Sequence, residues 1–374
     1  MGRRTAIRAL IVAGTVLAVL AIVSLWVSRQ ALETDTWART STELLEEEAV
    51  QAAVANLLVD QLYANVDVAA ELEAALPPRA DVLAEPAAGA LRRAAVEVAD
   101  QALDRPLVQR AWERANRRAH ETLVDVVEGG GGVVATEGGV VTLDLRELLA
   151  EVGERTGLSV GLADRLPEGT ATIEILRADQ LSAVQTGGRL LRPLAFVLTA
   201  AMLACLGAAV WLARGRRRET VRAAGFALVA AGLVTLVVRE LLGGVVVDEL
   251  AVTAANEPVV TAVWGVGTSL LADIAWASIA YGILIVAGAW LAGPARWAVE
   301  IRRTLAPYLA DPWVTYGVVA AVVVLVLLWG PTEGTRRVLP TLVLLALLVA
   351  GVETLRRQVR REVPAPEPRV PEHA

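Results

Sequence analysis

Residues 9–27 read ALIVAGTVLAVLAIVSLWV, a run of 19 residues without a charged side chain. At about 1.5 Å per residue, a helix of this length crosses most of the ~30 Å hydrocarbon core of a bilayer. Three arginines precede the run, as in a signal peptide, but the sequence SRQ at residues 28–30 offers no small-residue cleavage site. We therefore expect residues 1–28 to form an uncleaved signal-anchor transmembrane helix.

The composition extends this expectation to other parts of the chain. Of the 374 residues, 55% are hydrophobic, and the mean hydropathy is +0.52, which predicts that much of the chain lies in lipid and excludes a disordered protein. The single cysteine, Cys205, excludes a disulfide scaffold and a cysteine zinc site. The absence of lysine excludes a nucleotide-binding P-loop at the glycine run 129–132.

Five further apolar runs predict five more membrane helices, at residues 190–213, 221–238, 274–292, 313–329 and 338–352. With six spans, the arginine-rich segments at 3–8, 214–222, 296–303 and 356–361 all fall on one side, which the positive-inside rule assigns to the cytoplasm. Only the turn at 330–337, with two arginines, departs from the rule. We therefore expect both termini in the cytoplasm and residues 29–188 outside it.

The charge distribution separates the same segment from the rest. Residues 28–188 hold 28 acidic residues and 14 arginines, a net charge of −14, whereas the remainder of the chain carries +8. Such asymmetry indicates two physical environments in one polypeptide. The resulting organisation is a signal anchor at 1–28, an extracytoplasmic domain at 29–188, a five-helix transmembrane bundle at 189–355 and a disordered, proline-rich cytoplasmic tail at 356–374.

The periodicity of residues 40–188 predicts an α+β, mainly helical, domain between membrane helices 1 and 2. Three amphipathic helices are expected: one capped by Ser41 or Thr42, one over about 80–104, and one beginning at Pro106. Residues 140–145 and 172–176 then predict two strands, with a short helix over 147–156 between them and a last helix from 178 toward the second span. The fold class is therefore a six-helix membrane protein with an external α+β domain.

Trp112, Asn116 and His120 follow one another at one-turn spacing on the third helix and form a candidate external-domain surface. A histidine here could act as a ligand or general base, or lie on the helix surface beside the bundle core. We favour the second interpretation, because no second histidine, cysteine or evident nucleophile accompanies it. No closely spaced ligand set occurs either, so we expect no catalytic residue, metal or cofactor.

Arg239, Glu240 and Asp273 form a candidate polar cluster at the outer membrane boundary. An ion pair of Arg239 with Asp273 is geometrically reasonable and would belong to a polar path or ligand pocket. The alternative, which we favour, is that both side chains reach headgroups and water. The apolar residues within 241–272 either extend the two helices or cap the bundle from outside, and we expect them to pack against the external domain.

Several short segments resemble a family of actinobacterial membrane proteins for which no activity is established. They are WARTS at 37–41, the run at 66–76 with its Leu-Pro ending, WERANRRAH at 112–120, Leu166-Pro167, the strand at 172–176 and Gln180-Leu181. The similarity covers roughly residues 6–215. The resemblance implies an N-terminal span, an external domain and a multi-span C-terminal half, and it implies no functional residues.

Three functions are compatible with this sequence. The leading hypothesis is a non-enzymatic plasma-membrane protein whose external domain binds an envelope protein or cell-wall component. The second is a transporter or channel component that uses Arg239, Glu240 and Asp273, and the third is a membrane-embedded enzyme acting on lipid-linked substrates. The lipid bilayer is an expected partner, nucleic acid is not, and a homo-oligomer stays open.

Overall fold

The computed structural model describes residues 2–65, 84–128, 134–137, 140–144 and 172–293, with isolated residues at 68, 70–71, 299–300, 304, 317 and 320. This part of the chain is almost entirely helical. Nine helices are described: α1 (Arg3–Leu32), α2 (Thr34–Glu46), α3 (Glu48–Asn65), α4 (Ala84–Leu103), α5 (Pro106–Glu128), α6 (Ala178–Leu212), α7 (Arg217–Leu250), α8 (Glu257–Gly267) and α9 (Ser269–Leu291). Three short strands, β1 (Val134–Glu137), β2 (Val140–Asp144) and β3 (Thr172–Arg177), form an antiparallel sheet in that order.

Four helices are long and apolar enough to cross a bilayer: Arg3–Leu32, Leu190–Leu212 within α6, Arg217–Leu250 and Ser269–Leu291. They correspond to the first four predicted spans. The fifth and sixth predicted spans, at 313–329 and 338–352, lie outside the described residues apart from Gly317 and Ala320, as do the expected helix at 147–156 and the tail at 356–374. The described residues therefore contain four candidate spans, which is consistent with a membrane protein.

The chain divides into two compact units. The first, here called the membrane unit, comprises residues 1–22, 198–238 and 271–374; the second, the domain unit, comprises 23–197 and 239–270. The unit boundaries at residues 22/23, 197/198 and 238/239 fall within α1, α6 and α7.

Small residues bring the helices of the membrane unit together. Leu206 of α6 packs with Ala224 and Ala227 of α7 and with Ile11 of α1. Where α7 meets α9, backbone approaches backbone: a Cβ on Gly282 would lie 2.6 Å from the carbonyl oxygen of Gly225. Close approach of this kind is how helices associate in lipid, where apolar surface alone gives little driving force between them.

The core of the domain unit lies among α2, α3, α4 and α5. Leu45, Ala55 and Leu103 are buried there, with Trp112 packed against them. α2 packs mainly on α5 and α3 on α4, and the buried Gln51 ties the second pair by donating to the carbonyl of Asp100 at 2.8 Å.

The predicted start of the first domain helix at Ser41 or Thr42 is wrong. Both residues lie inside α2, where their hydroxyls donate to the carbonyl of Ala38 at 2.8 and 3.0 Å. The break comes at Glu47, whose backbone is extended, and α3 begins immediately after it. Hydroxyl side chains satisfy a preceding carbonyl inside a helix as readily as they cap one, so the two positions look alike in sequence.

Residues 239–270 form helix extensions followed by a short helix. α7 runs past its apolar stretch to Leu250, and α8 contacts both α2 and α3. The expected packing of this segment against the domain is therefore found within the domain unit. Its tightest point is Gly243, whose missing side chain leaves room for the indole of Trp264.

Candidate functional site: a polar seam at the end of α1

The polar seam is the set Thr34, Trp37, Trp112, Asn116 and His120, where α2 and α5 meet at the end of α1. His120 is its centre and is only 3% exposed. The imidazole stacks on Trp37 with ring centroids 5.2 Å apart and planes 19° from parallel. Its Nδ1 lies 3.2 Å from the hydroxyl of Thr34. The histidine is thus a buried contact residue between two helices rather than a residue of the helix surface.

Trp112 and Asn116 serve the same contact. The indole nitrogen of Trp112 donates to the carbonyl of Ser41 at 2.9 Å, which fixes α5 against α2. The amide of Asn116 donates to the carbonyl of Trp112 at 3.0 Å within α5. Trp112 and Asn116 are half-buried. The three residues predicted as a candidate surface therefore lie together, on the face of α5 that packs rather than on an open face.

The last turn of α1 is held by side chains from outside it. His120 hydrogen-bonds to the backbone of Ala31, and Arg192 of α6 donates to the carbonyl of Leu32 at 3.3 Å. Arg192 also pairs with Glu128 at the end of α5, N to O 2.9 Å. Carbonyls at a helix C-terminus lack intrahelical partners, so these contacts satisfy the helix end and bind it to α5 and α6.

An ion pair borders the seam on its solvent side. The guanidinium of Arg117 bonds to the carboxylate of Asp35 and, at 3.3 Å, to that of Glu113. Hydrogen bonding to Arg117, followed by its charge, holds the pKa of Asp35 below its usual range. The side chain of Asp35 is 83% exposed, so water screens the pair and its contribution to stability is small, about 0–1 kcal/mol.

Burial governs the charge state of His120. Removal from water lowers the pKa of His120, and the hydrogen bond to Ala31 opposes that shift only in part. The ring is therefore neutral at pH 7, which suits stacking and hydrogen bonding. Among the described residues no three histidine, cysteine or carboxylate side chains are grouped to hold a metal ion. The contacts described here for His120, Trp37 and Thr34 hold α2 and α5 together.

The candidate cluster of Arg239, Glu240 and Asp273 stays a prediction. The guanidinium of Arg239 donates to the hydroxyl of Thr268 at 2.8 Å and to the carbonyl of Gly265 at 3.3 Å. These bonds give Arg239 partners at the end of α8. Glu240 and Asp273 are exposed.

Sequence reasoning missed Thr34, Trp37 and Arg192 as partners of the seam. Trp37 had a usable signal, because a lone tryptophan in the otherwise polar α2 is typical of a helix contact. Arg192 had none, since its partners lie 160 and 64 residues away in the chain.

No protein-family model matches this chain, and neither a curated protein nor a solved structure is similar to it. The resemblance to an actinobacterial family therefore stays a prediction.

Proposed function

We propose that this chain is a six-span membrane protein whose α+β domain lies outside the cytoplasm, binds a partner protein and passes the binding to its membrane helices without catalysing a reaction. The observation that carries the proposal is the capture of the end of α1 by His120 and Arg192. Polar side chains of the domain unit serve to fix a membrane helix, which is the physical requirement for coupling rather than for catalysis.

Packed side chains, hydrogen bonds and rigid helices can carry coupling between two distant sites. Here α1 is one helix of 30 residues, and its last turn is bound to both α5 and α6. A ligand that shifts α5 by a fraction of an ångström must move the stacked ring of His120 with it. The end of α1 then follows, because its carbonyls depend on that histidine and on Arg192.

Exposed apolar side chains of the domain unit support a protein as the ligand. Large apolar side chains of α3, α4 and α5 are about half-exposed or more; they are Leu57, Leu58, Leu62, Leu91, Val98, Leu107 and Leu123. Apolar residues within a segment of net charge −14 suit a partner protein with an apolar patch and a basic rim. A cell-wall polymer would use aromatic and hydrogen-bonding groups instead, and is the alternative outcome of a crosslinking test.

The test is site-specific photocrosslinking in cells with the full chain. A photoreactive residue at Leu58 or Leu123 is expected to capture one defined protein, and one at the exposed Arg110 of α5 is expected to capture none. The captured protein, once purified, should bind the chain and should bind the Leu58→Glu variant at least tenfold more weakly. Capture of glycan alone, binding that ignores Leu58→Glu, or turnover of a substrate by the purified chain would each overturn the proposal.

The proposed topology has its own test, made simple by the single cysteine. In a Cys205→Ala background, a cysteine replacing Arg114 should react with a membrane-impermeant maleimide in intact cells. A cysteine replacing Arg217 should react only after the cells are permeabilised. Reaction of both in intact cells would exclude an extracytoplasmic domain on one side of the membrane and a basic α6–α7 turn on the other.

The transport hypothesis uses Arg239, Glu240 and Asp273 at the outer membrane boundary. The bonds of Arg239 to Thr268 and Gly265 give this arginine partners at the end of α8, so we rank transport below partner binding.

A further inference from the structure

We propose that the basic end of the membrane unit binds the phosphate headgroups of anionic phospholipids. The basic end is defined here as residues 3–8 of α1 together with the α6–α7 turn and first turn of α7, residues 212–222. It holds eight arginines: Arg3, Arg4, Arg8, Arg214, Arg216, Arg217, Arg218 and Arg222. Glu219 is the single acidic residue in these two segments.

The two segments are brought together by direct contact. The Nε of Arg3 donates to the carbonyl of Leu212 at 2.7 Å, so the start of α1 is fixed to the end of α6. Further along α1, Ile11 packs with Leu206 and Ala224, which joins α1, α6 and α7. The N-terminal arginines and those of the α6–α7 turn therefore share one end of one packed bundle.

Some of the arginines are used within the protein and others are not. Arg3 and Arg218 bind backbone carbonyls, the latter that of Ala289 at 2.7 Å. Arg216 lies 3.9 Å from Glu219, and both are mostly exposed, so this pair neutralises little. The other exposed arginines of the basic end, Arg4, Arg8, Arg217 and Arg222, form no ion pair within the described part of the chain. Their charge is therefore available to an external anion.

Trp211 indicates the depth in the membrane at which these arginines would meet an anion. It is the penultimate residue of α6 and 66% exposed, and Arg214 lies over its ring, 5.8 Å from the centroid. Exposed tryptophans at the end of an apolar helix lie at the level of lipid headgroups. Unpaired guanidinium groups at that level meet phosphodiesters, which they bind through paired N–H donors. Clusters of four to eight basic residues beside a membrane helix favour anionic lipid for this reason.

The experiment titrates the purified full chain in detergent with phosphatidylglycerol and with phosphatidylcholine of the same acyl chains, and counts bound lipid by native mass spectrometry. Phosphatidylglycerol is expected to bind more tightly. Replacing Arg217 and Arg222 by glutamine should weaken it about 30-fold, which is about 2 kcal/mol at about 1.4 kcal/mol per tenfold. The matched control replaces Arg110 and Arg114, exposed arginines of α5, by glutamine. This control should leave the affinity for phosphatidylglycerol unchanged.

Lysine at positions 217 and 222 serves as the conservative variant. It keeps the charge that orients the chain in the membrane but loses the two-pronged phosphate contact, so an intermediate loss is expected. Three results would overturn the proposal: equal affinity for phosphatidylcholine, equal loss in both glutamine variants, or displacement of the lipid by inorganic phosphate at the lipid's own concentration. The last result would assign the site to a soluble anion.

Discussion

Replacement of His120 by alanine tests whether the polar seam stabilises the domain. The ring is 3% exposed and stacked on Trp37, and loss of such a stack removes about 0.5–1.5 kcal/mol. Loss of the hydrogen bond to Thr34 removes about 1 kcal/mol more. The void adds a further cost, since aromatic-to-alanine changes in cores reach about 3–5 kcal/mol. We expect a loss of about 2–4 kcal/mol in the free energy of unfolding.

The assay is thermal unfolding of the full chain in detergent, followed by intrinsic fluorescence. At about 2–4 °C per kcal/mol, His120→Ala should lower the midpoint by on the order of 10 °C. His120→Phe keeps the stacked ring and loses the hydrogen bonds, so its unfolding midpoint should fall between those of the wild type and His120→Ala. Arg118→Ala is the control, because its 3.5 Å pair with Glu121 is exposed. A midpoint for His120→Ala within about 1 °C of that control would refute the reasoning.

Measuring the unfolding midpoint as a function of pH separates the contribution of His120 from that of the carboxylates. Because burial lowers the folded-state pKa of His120, the neutral form is favoured on folding. Its stabilising contribution is complete above the unfolded-state pKa of about 6.5 and declines as the pH falls from there to the folded-state value. His120→Gln should remove this dependence. A wild-type midpoint that is flat from pH 7 down through this window would show that His120 binds its proton equally in both states.

Three further predictions concern other contacts. Gly282→Ala should destabilise the membrane unit by about 1–3 kcal/mol, because its Cβ would meet the backbone of α7, whereas Gly288→Ala on the same helix meets nothing and should be neutral in thermal unfolding. Arg239→Ala should lower the unfolding midpoint by removing two hydrogen bonds to the end of α8, whereas Asp273→Asn should change neither the midpoint nor ion flux in liposomes. Asp35→Asn should lower the free energy of unfolding by less than about 1 kcal/mol; the loss should be full above the unfolded-state pKa of about 3.9 and should disappear as the pH falls through the lowered folded-state pKa of Asp35.

The membrane helices could be predicted from sequence because an apolar run of about 18 or more residues is typical of a helix that spans lipid. The full lengths of these helices could not be predicted in the same way. The apolar run of the third span ends at residue 238, yet α7 continues through Arg239 to Leu250. Charged residues mark the edge of lipid but do not end a helix, since their backbone groups still hydrogen-bond four residues back. Hydropathy therefore locates the bilayer-length core of a helix and not its ends.

The packed face of α5 shows why the candidate site was harder to predict. The apolar spacing selects Val108, Trp112, Ala115, Ala119, Leu123 and Val127 as the buried stripe, but Ala115, Ala119 and Leu123 are exposed. The face that packs continues from Trp112 through Asn116 to His120. A hydrophobic stripe misses these positions because histidine and asparagine count as polar, although each can be buried when its hydrogen bonds are made.

The long helices also decide how the domain can be coupled to the membrane. At about 1.5 Å per residue, α1 and α7 measure about 45 and 51 Å, well beyond a ~30 Å hydrocarbon core. The surplus turns carry contacts of the domain unit: the last turn of α1 meets His120 and Arg192, and Arg239 of α7 meets the end of α8. A flexible linker would absorb a displacement within the domain, because it has many conformations of similar energy. Under the proposed function, a helix that enters the domain unbroken and is hydrogen-bonded there has far fewer conformations than a linker, and it would therefore pass on more of such a displacement.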